Sequence, residues 1–256
     1  MLPSELLANA RKRLFDTIGK DTKKYWTDYE LLVEYGNLAL DKMFLGVRRL
    51  IIDSQTASDL QGKPLCSLSL VVGTAAYAIS PKIIEISAAT VTEITDPVLL
   101  TTRVAPLKTI TAAGMDAEYC DWRNNATGWP SCIITDLNTD SVTIWPTPVA
   151  YETPPPATLT PTVSFTVHRF PLRRLSLLDS GVADDSVAFG IREEYQEYLV
   201  YGILAEAYMK DDGEVKRLDL AGINEKKFDA KIESIKDDLS RRLSSNRGVR
   251  TKLAYR

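Results

Sequence analysis

Residue types that commonly carry chemistry are sparse in this chain and are poorly spaced for a reaction. His168 is the only histidine among 256 residues, and no cysteine lies near it in the sequence. A general base or a metal ligand needs partners, so we interpret His168 as a solvated or rim residue of a strand. The sequence contains neither the phosphate-binding motif G-x-x-x-x-G-K-[ST] nor the dinucleotide motif G-x-G-x-x-G.

Two groups of carboxylates have spacings that suggest a metal site. The segment 136–140 resembles the start of a calcium loop, but Ser141 stands where a glycine is needed and Thr147 where a glutamate is needed. Asp184 and Asp185 could belong to a two-metal centre, but no third carboxylate lies at a useful spacing. We therefore predict no metal, no cofactor and no catalytic residue, and we expect the chain not to be an enzyme.

Charge and cysteine content argue against several further classes. The 31 Lys and Arg residues and 34 Asp and Glu residues give a formal charge of −3, which argues against a general nucleic-acid-binding protein. Cys66, Cys120 and Cys132 form no C-x-x-C motif and favour reduced thiols of a cytoplasmic product. No segment approaches the length of uninterrupted apolar sequence that a membrane span needs, so we expect no contact with a membrane.

The chain changes character twice along its length. Residues 3–53 have helical periodicity, residues 65–175 alternate as strands with turn residues between them, and residues 187–245 are helical again. This order predicts an α+β fold. We expect the N- and C-terminal helical hairpins to pack as a four-helix bundle, with an inserted antiparallel β-sandwich or barrel module.

The predicted divisions of the chain follow these changes of pattern. They are the first half of the bundle (1–60), the β module (61–178), the second half of the bundle (179–245) and a basic C-terminal tail (246–256).

The second predicted helix has the clearest local signals. Thr27 and Glu30 have the spacing of a capping box, and no proline follows before Asp53, so we predict one helix of about 25 residues. Its apolar residues occupy more than one face. Those that recur every seventh residue are candidates for a subunit interface or for a second layer of the bundle: Leu31, Leu38, Leu45 and Ile52.

Two more helices are predicted in the last third. In the first, Gly202 and Ala205 lie on a broad apolar face and allow the close approach of a neighbouring helix. The second is predicted to end near Ser244. Residues 241–256 contain six basic and no acidic side chains. We expect this tail to be mobile in the free protein and to order on an acidic partner or on phosphates.

Several short motifs occur in a recognisable order. They are W-T-D-Y-E-L-L at 26–32, G-T-A-A-Y-A-I-S-P at 73–81, G-W-P-S at 128–131, T-I-W-P-T-P at 143–148, R-F-P at 169–171 and a helix at 193–208 that closes in A-x-A-Y. In this order they resemble the head-to-tail adaptor (connector) proteins of short-tailed bacteriophages. The resemblance extends over about residues 26–235.

The resemblance implies a structural role without catalysis. Such adaptors form rings, usually of twelve copies, beneath the portal protein; they extend the DNA channel without sequence-specific binding and dock the tail nozzle and fibre proteins. It implies a place in the neck of the virion after assembly in the host cytoplasm. It also maps the segment that reaches the portal onto C-terminal residues: Arg247, Arg250, Lys252, Leu253, Tyr255 and Arg256.

Two other hypotheses remain open on the residues alone. Trp122, Trp129 and Trp145 could stack on sugars in a tail accessory or host-surface protein, a carbohydrate-binding β-sandwich on a helical oligomerisation stalk. Trp129 and Trp145 also lie beside Pro or Gly at a strand edge, which favours a packing role. A nuclease-like assembly factor that uses Asp184 and Asp185 is the third hypothesis.

Overall fold

A computed structural model of the chain describes residues 1–14, 25–96, 101–119, 121–124, 126–138, 140–149, 161–210 and 217–253, with the backbone alone for 93–96, 101–103 and 243–253. The chain forms two compact units. The helical unit comprises Met1–Leu50 and Arg173–Arg256, and the β unit comprises Ile51–Leu172. The predicted α+β class is confirmed.

The described elements follow one another in the order that the sequence pattern indicates. In chain order they are α1 (Pro3–Leu14), a π-helix (Tyr29–Gly36), α2 (Asn37–Val47), β1 (Ile52–Asp53), β2 (Ser67–Ser69), β3 (Ala76–Ala78), β4 (Ile83–Asp96), β5 (Thr101–Ile110), α3 (Ala112–Glu118), a 3₁₀-helix (Trp122–Asn124), β6 (Thr127–Gly128), β7 (Cys132–Asn138), β8 (Ser141–Trp145), β9 (Thr147–Pro148), β10 (Thr162–Arg169), α4 (Glu193–Gln196), α5 (Leu199–Met209) and α6 (Leu218–Leu253).

Helix α5 lies at the centre of the helical unit and contacts α1, the π-helix, α2 and α6. Its apolar side chains are buried on most of its circumference, as expected for a helix covered on several sides. Helix α6 packs against α5 and α2, with Phe228 near Gly202 of α5 and Ile232 near Gly46 of α2. Phe228, Ile232 and Ile235 are all buried. The opposite face of α6 is exposed and charged, so α6 lies on the outside of the unit.

The second helical segment begins as predicted but ends earlier. The backbone N–H of Glu30 donates to Thr27 Oγ1 at 3.1 Å, and the N–H of Thr27 donates to Glu30 Oε2 at 2.7 Å, so the capping box is confirmed. The predicted helix to Asp53 is wrong. Arg48 adopts a left-handed conformation (φ 59°), and its N–H donates to Phe44 O at 2.8 Å. This backbone turn ends α2 at Val47.

The last helix is longer than predicted. Helix α6 continues through Ser244 and Gly248 and ends at Leu253. A serine or a glycine costs a helix interior only about 0.5–1 kcal/mol relative to alanine, so neither residue ends a helix without a cap. The predicted break near Ser244 is therefore wrong.

The β unit is built on a curled, half-barrel sheet, which is closer to the barrel than to the sandwich of the prediction. Strands β6 and β9 pair in parallel as a separate two-stranded sheet. The described strands of the half-barrel sheet follow the order β1–β10–β4–β5–β7–β8–β3, and β2 also pairs with β10. All neighbours on this path are antiparallel except β5 and β7, which pair in parallel with Lys108 opposite Cys132. The expectation of a wholly antiparallel module is wrong here because α3 connects β5 to β7 and returns the chain to the same end of the sheet.

Both faces of this sheet are covered at β7. On one face, Ile133 joins a large apolar cluster that includes Val91 and Phe165. On the other, Cys132 and Ile134 pack against Met115 of α3. This arrangement follows from the alternation of side chains along a strand.

Candidate functional site

The residues that first suggested chemistry have structural roles. Asp185 accepts hydrogen bonds from the N–H of Ser4 at 2.8 Å and from its hydroxyl at 2.7 Å, and therefore holds the first turn of α1. Asp184 accepts from the hydroxyl and the N–H of Ser186, and these bonds lower the pKa of its carboxyl group. Asp136 accepts from Ala112 N at 2.7 Å at the start of α3.

His168 is buried, so the prediction of a solvated or rim residue is wrong. It lies in β10, opposite Ile52 of β1 and Glu85 of β4, and a strand with neighbours on both edges lies inside the sheet. Across the described ranges, no three His, Cys, Asp or Glu side chains are grouped so that they could hold a metal ion.

The described cysteines are buried thiols. Burial, followed by the charge of Asp53, raises the pKa of Cys66 to about 11, so this thiol is protonated and unreactive at neutral pH. Cys132 is also buried and unpaired with another cysteine. Cys120 lies outside the described residues.

The three tryptophans of the β unit are packing residues. The Trp122 indole donates to Asp116 Oδ1 at 2.8 Å, and the Arg123 guanidinium lies 4.7 Å from the centre of its ring. The ring of Trp145 lies 4.7 Å from that of Tyr119. Trp129 is half-buried against the larger apolar cluster. Contacts within the chain thus occupy ring surfaces that a sugar would need for stacking.

The G-T-A-A-Y motif stabilises a turn of the backbone. Gly73 has a φ of 75°, which favours glycine. The Tyr77 hydroxyl donates to Val71 O at 3.0 Å and accepts from Val71 N at 2.9 Å. These contacts give the motif a structural role in the β unit.

The four candidate interface residues do not share one surface. Leu31 is fully buried within the helical unit. Ile52 is 60% exposed but lies in β1 of the β unit, because α2 ends at Val47. Leu38 and Leu45 are 50% and 58% exposed and lie seven residues apart on α2, which places them on one side of this helix.

Leu38 and Leu45 belong to a larger surface, which we call the α2 face. It is defined by Leu38, Lys42 and Leu45 of α2, Glu206 and Met209 of α5, and Glu225 and Asp229 of α6. Lys42 Nζ lies 3.0 Å from Glu225 Oε1 and 3.3 Å from Asp229 Oδ1. Met209 is 52% exposed. The α2 face thus combines exposed apolar side chains with three carboxylates and one ammonium group.

Glu206 is the most unusual carboxylate of the α2 face. Its side chain is half-buried and, with Leu38 and Met209, lines a narrow groove. Burial raises its pKa above the usual value; the nearby charge of Lys42 opposes this shift, and that of Glu225 adds to it. Among the described residues, no cation lies within ion-pair distance of Glu206.

A second surface of the helical unit combines aromatic rings with cations, and sequence analysis did not identify it. We call it the tyrosine–lysine patch, and it is defined by Arg13 of α1, Tyr198 at the start of α5, Tyr201 of α5, and Lys227 and Lys231 of α6. Arg13 lies 4.9 Å and Lys227 6.0 Å from the centre of the Tyr201 ring, and Lys231 lies 4.8 Å from that of Tyr198. The signal in the sequence was a pair of tyrosines three residues apart, Tyr198 and Tyr201, and a pair of lysines four residues apart, Lys227 and Lys231.

The predicted portal-binding residues fall mostly on the end of α6. Arg247, Arg250, Lys252 and Leu253 are helical, and only their backbone is described. Tyr255 and Arg256 lie outside the described residues. The helical backbone places at least the first four of these residues on a continuation of α6 and not on a separate coil.

Among the described helices, none combines the length and the apolar character that a membrane span requires.

Comparisons with known proteins identify the family. A search of curated proteins found no match. The family model described as SU10 adaptor protein matches residues 1–251, nearly the whole chain. The chain therefore belongs to the SU10 adaptor family, and it is a structural adaptor protein of a bacteriophage, in agreement with the resemblance of its motifs to phage head-to-tail adaptors.

Proposed function

We propose that this adaptor forms a ring beneath the portal in the neck of the virion, after assembly in the host cytoplasm, and there docks the tail nozzle and fibre proteins. Twelve copies are usual for the proteins that it resembles. Genomic DNA passes through the ring without sequence-specific contacts, for which the formal charge of −3 is suitable. The role is structural, without catalysis.

The observation that carries this proposal is the exposed apolar surface of the α2 face. Leu38, Leu45 and Met209 are each at least half exposed, although their helices pack well on their other sides. A cluster of large exposed apolar side chains on a folded unit is typical of a surface that a partner covers. Side-by-side helical units in a ring would cover it.

We propose a four-helix bundle as the core of each subunit. The contacts of α5 with α1, α2 and α6 support this arrangement. A rigid bundle suits a ring, because it presents its exposed side chains at fixed positions to its neighbours.

The same proposal assigns attachment to the portal to the C-terminal residues. Ile235 is the last buried side chain that the structure describes on α6, and the helix runs for 18 more residues to Leu253, about 27 Å. This extension carries Arg247, Arg250 and Lys252, which suit a rim of carboxylates on the portal. Leu253 and Tyr255 would enter apolar pockets, and Arg256 would add a further cation.

The ring is tested by a substitution on the α2 face. We expect Leu38→Glu with Leu45→Glu to leave the monomer folded and to block assembly, because the new charges would be buried between subunits. Sedimentation velocity with and without purified portal measures assembly, and circular dichroism measures the fold. Leu60→Glu, at an exposed leucine of the β unit, is the matched control. Normal assembly of the double variant would contradict the proposal.

Attachment to the portal is tested by truncation after Ser245. The truncated protein should keep its fold and lose retention on DNA-filled heads in a pull-down. Tyr255→Ala should weaken retention more than any single arginine substitution, since a buried aromatic anchor contributes more than a screened ion pair. Equal retention of truncated and full-length protein would exclude the C-terminal residues from attachment.

A further inference from the structure

The tyrosine–lysine patch and the α2 face lie on opposite sides of α6. Lys227 is two residues from Glu225, and Lys231 is two residues from Asp229. Two residues correspond to about 200° around an α-helix. The contacts agree with this geometry, because Glu225 and Asp229 bind Lys42 of α2, whereas Lys227 and Lys231 lie over tyrosine rings of α5.

The charges of these two surfaces are opposite and incompletely paired within the chain. In the part of the chain that the structure describes, no carboxylate lies within ion-pair distance of Lys227 or Lys231; their recorded partners are the rings of Tyr201 and Tyr198. On the α2 face, Glu206 is a half-buried carboxylate without a cation at that distance. A cation from outside the chain would stabilise Glu206, and a carboxylate from outside would stabilise the lysines.

A closed ring requires two different surfaces on each subunit. Its contacts are heterologous, so one patch on a subunit meets a second, complementary patch on the next. Two surfaces on opposite sides of one helix, one apolar and acidic and the other aromatic and basic, fulfil this requirement. The tyrosine rings also supply flat amphipathic surface against which Leu38 and Met209 could pack.

We propose that the tyrosine–lysine patch of one subunit binds the α2 face of the next, with Lys227 and Lys231 directed toward Glu206. This contact rests on the ring assembly proposed above and specifies its second surface. The occupant of the patch is thus another copy of this chain. A nucleic acid could also bind the lysines and tyrosines of this patch, and the experiment separates the two.

The test is charge reversal on the full-length protein. We expect Lys227→Glu with Lys231→Glu to raise the protein concentration needed for half-assembly by about tenfold or more, because two attractive contacts become repulsive at every interface. Adding Glu206→Lys to the same chain should restore assembly in part. Lys226→Glu, on the exposed side of α6, is the matched control and should assemble normally. Lys231→Gln, which adds no repulsion, should have a smaller effect of the same sign.

Sedimentation velocity measures the assembly state, and circular dichroism measures the fold. Binding of DNA is measured with a fluorescent duplex oligonucleotide. If the wild-type protein stays monomeric with and without portal, this result would contradict the proposed ring and, with it, this contact. A wild-type ring that the double reversal leaves unchanged would overturn this contact and leave the ring in place. An unchanged ring with loss of oligonucleotide binding would assign the patch to DNA and overturn the proposal equally.

Discussion

At the scale of single residues, a buried ion pair joins β1 and β10, the first and last described strands of the β unit. The Arg169 guanidinium of β10 donates to Asp53 Oδ2 of β1 at 2.7 Å, and the Asp53 side chain is only 9% exposed. Burial alone would raise the pKa of Asp53. Hydrogen bonds from Gln55, Thr56 and Arg169 outweigh burial and hold this pKa well below its usual range. The carboxylate is thus stabilised in its charged form.

Replacing this carboxylate should destabilise the β unit in a pH-dependent manner. We expect Asp53→Asn to lower the free energy of unfolding by about 2–3 kcal/mol at pH 7, because Arg169 loses its charged partner. A lowered pKa adds stability above the pKa of the unfolded chain, about 3.9, and this contribution disappears as pH falls further. The difference between wild type and variant should therefore shrink below about pH 4.

Urea denaturation at several pH values measures this difference. Asp140→Asn, at an exposed carboxylate in the turn between β7 and β8, is the control and should change stability little. A constant difference between wild type and Asp53→Asn from pH 7 to pH 3 would contradict the argument.

Asp185 should stabilise a helix and not a metal ion. Because its carboxylate accepts two hydrogen bonds from Ser4, Asp185→Ala should lower the free energy of unfolding by about 1 kcal/mol, as the loss of a helix cap does. Thermal unfolding measures the change. Mg²⁺ or Mn²⁺ should not raise the melting temperature of the wild type. Stabilisation by either ion, abolished in Asp185→Ala, would revive the hypothesis of a two-metal centre.

At the scale of elements, helix starts were easier to predict than helix ends. Thr27 and Glu30 form a capping box that depends on two side chains three residues apart, and such a signal is visible in the sequence. The end of α2 depends on the left-handed backbone of Arg48, a residue type that rarely adopts it. The false extension of this helix placed Ile52 on α2 with Leu38 and Leu45, whereas Ile52 lies in β1.

The order of the strands in the sheet could not be predicted from the sequence, for a related reason. Alternation of side chains identified most strands, because it reflects burial of one face. Pairing depends on contacts between distant residues, such as Lys108 with Cys132 or Val163 with Val91. The tyrosine–lysine patch was missed likewise, since Arg13, Tyr201 and Lys227 meet only after α1, α5 and α6 have packed.

The predicted close approach at Gly202 is confirmed and gives a test of helix packing. A Cβ atom at Gly202 would lie 2.7 Å from Ala39 Cβ of α2 and 3.1 Å from the Phe228 ring of α6. Gly202→Ala should therefore destabilise the helical unit by about 1–3 kcal/mol through overpacking.

Gly222 provides the matched control for this substitution. It lies on α6, and a Cβ atom there would have nothing within 4 Å. Gly222→Ala should raise the free energy of unfolding by up to about 1 kcal/mol, because alanine favours a helix more than glycine does. Chemical denaturation of both variants measures the two changes. Stabilisation by both substitutions would show that α2, α5 and α6 pack less closely at Gly202.

At the scale of the whole molecule, the β unit has its own core and closes on its own ends. The chain enters it at Ile51 and leaves it at Leu172. Within the unit, Arg169 N donates to Ile51 O at 3.2 Å, and the Asp53–Arg169 ion pair lies beside this bond. Its principal apolar cluster contains residues of this unit alone. The two ends of the insertion are thus held by contacts inside the unit itself.

These features predict that the helical unit folds without the β unit. Residues 51–172 would be replaced by a short Gly/Ser linker that joins Leu50 to Arg173. Helix α5 would keep its buried contacts with α1, α2 and α6, and the hydrophobic burial that stabilises them would remain. The linker adds a loop-closure cost that grows only slowly with length, by about 0.6 kcal/mol for each doubling.

We expect a soluble protein whose far-UV circular dichroism is mainly helical and whose thermal unfolding is cooperative. The separate fragment 51–172 should show a strand spectrum and unfold cooperatively as well. A coil spectrum for the linked helical protein, with a folded fragment 51–172, would mean that the helical unit depends on the β unit for its fold, and the division of the chain into two autonomous units would then be wrong.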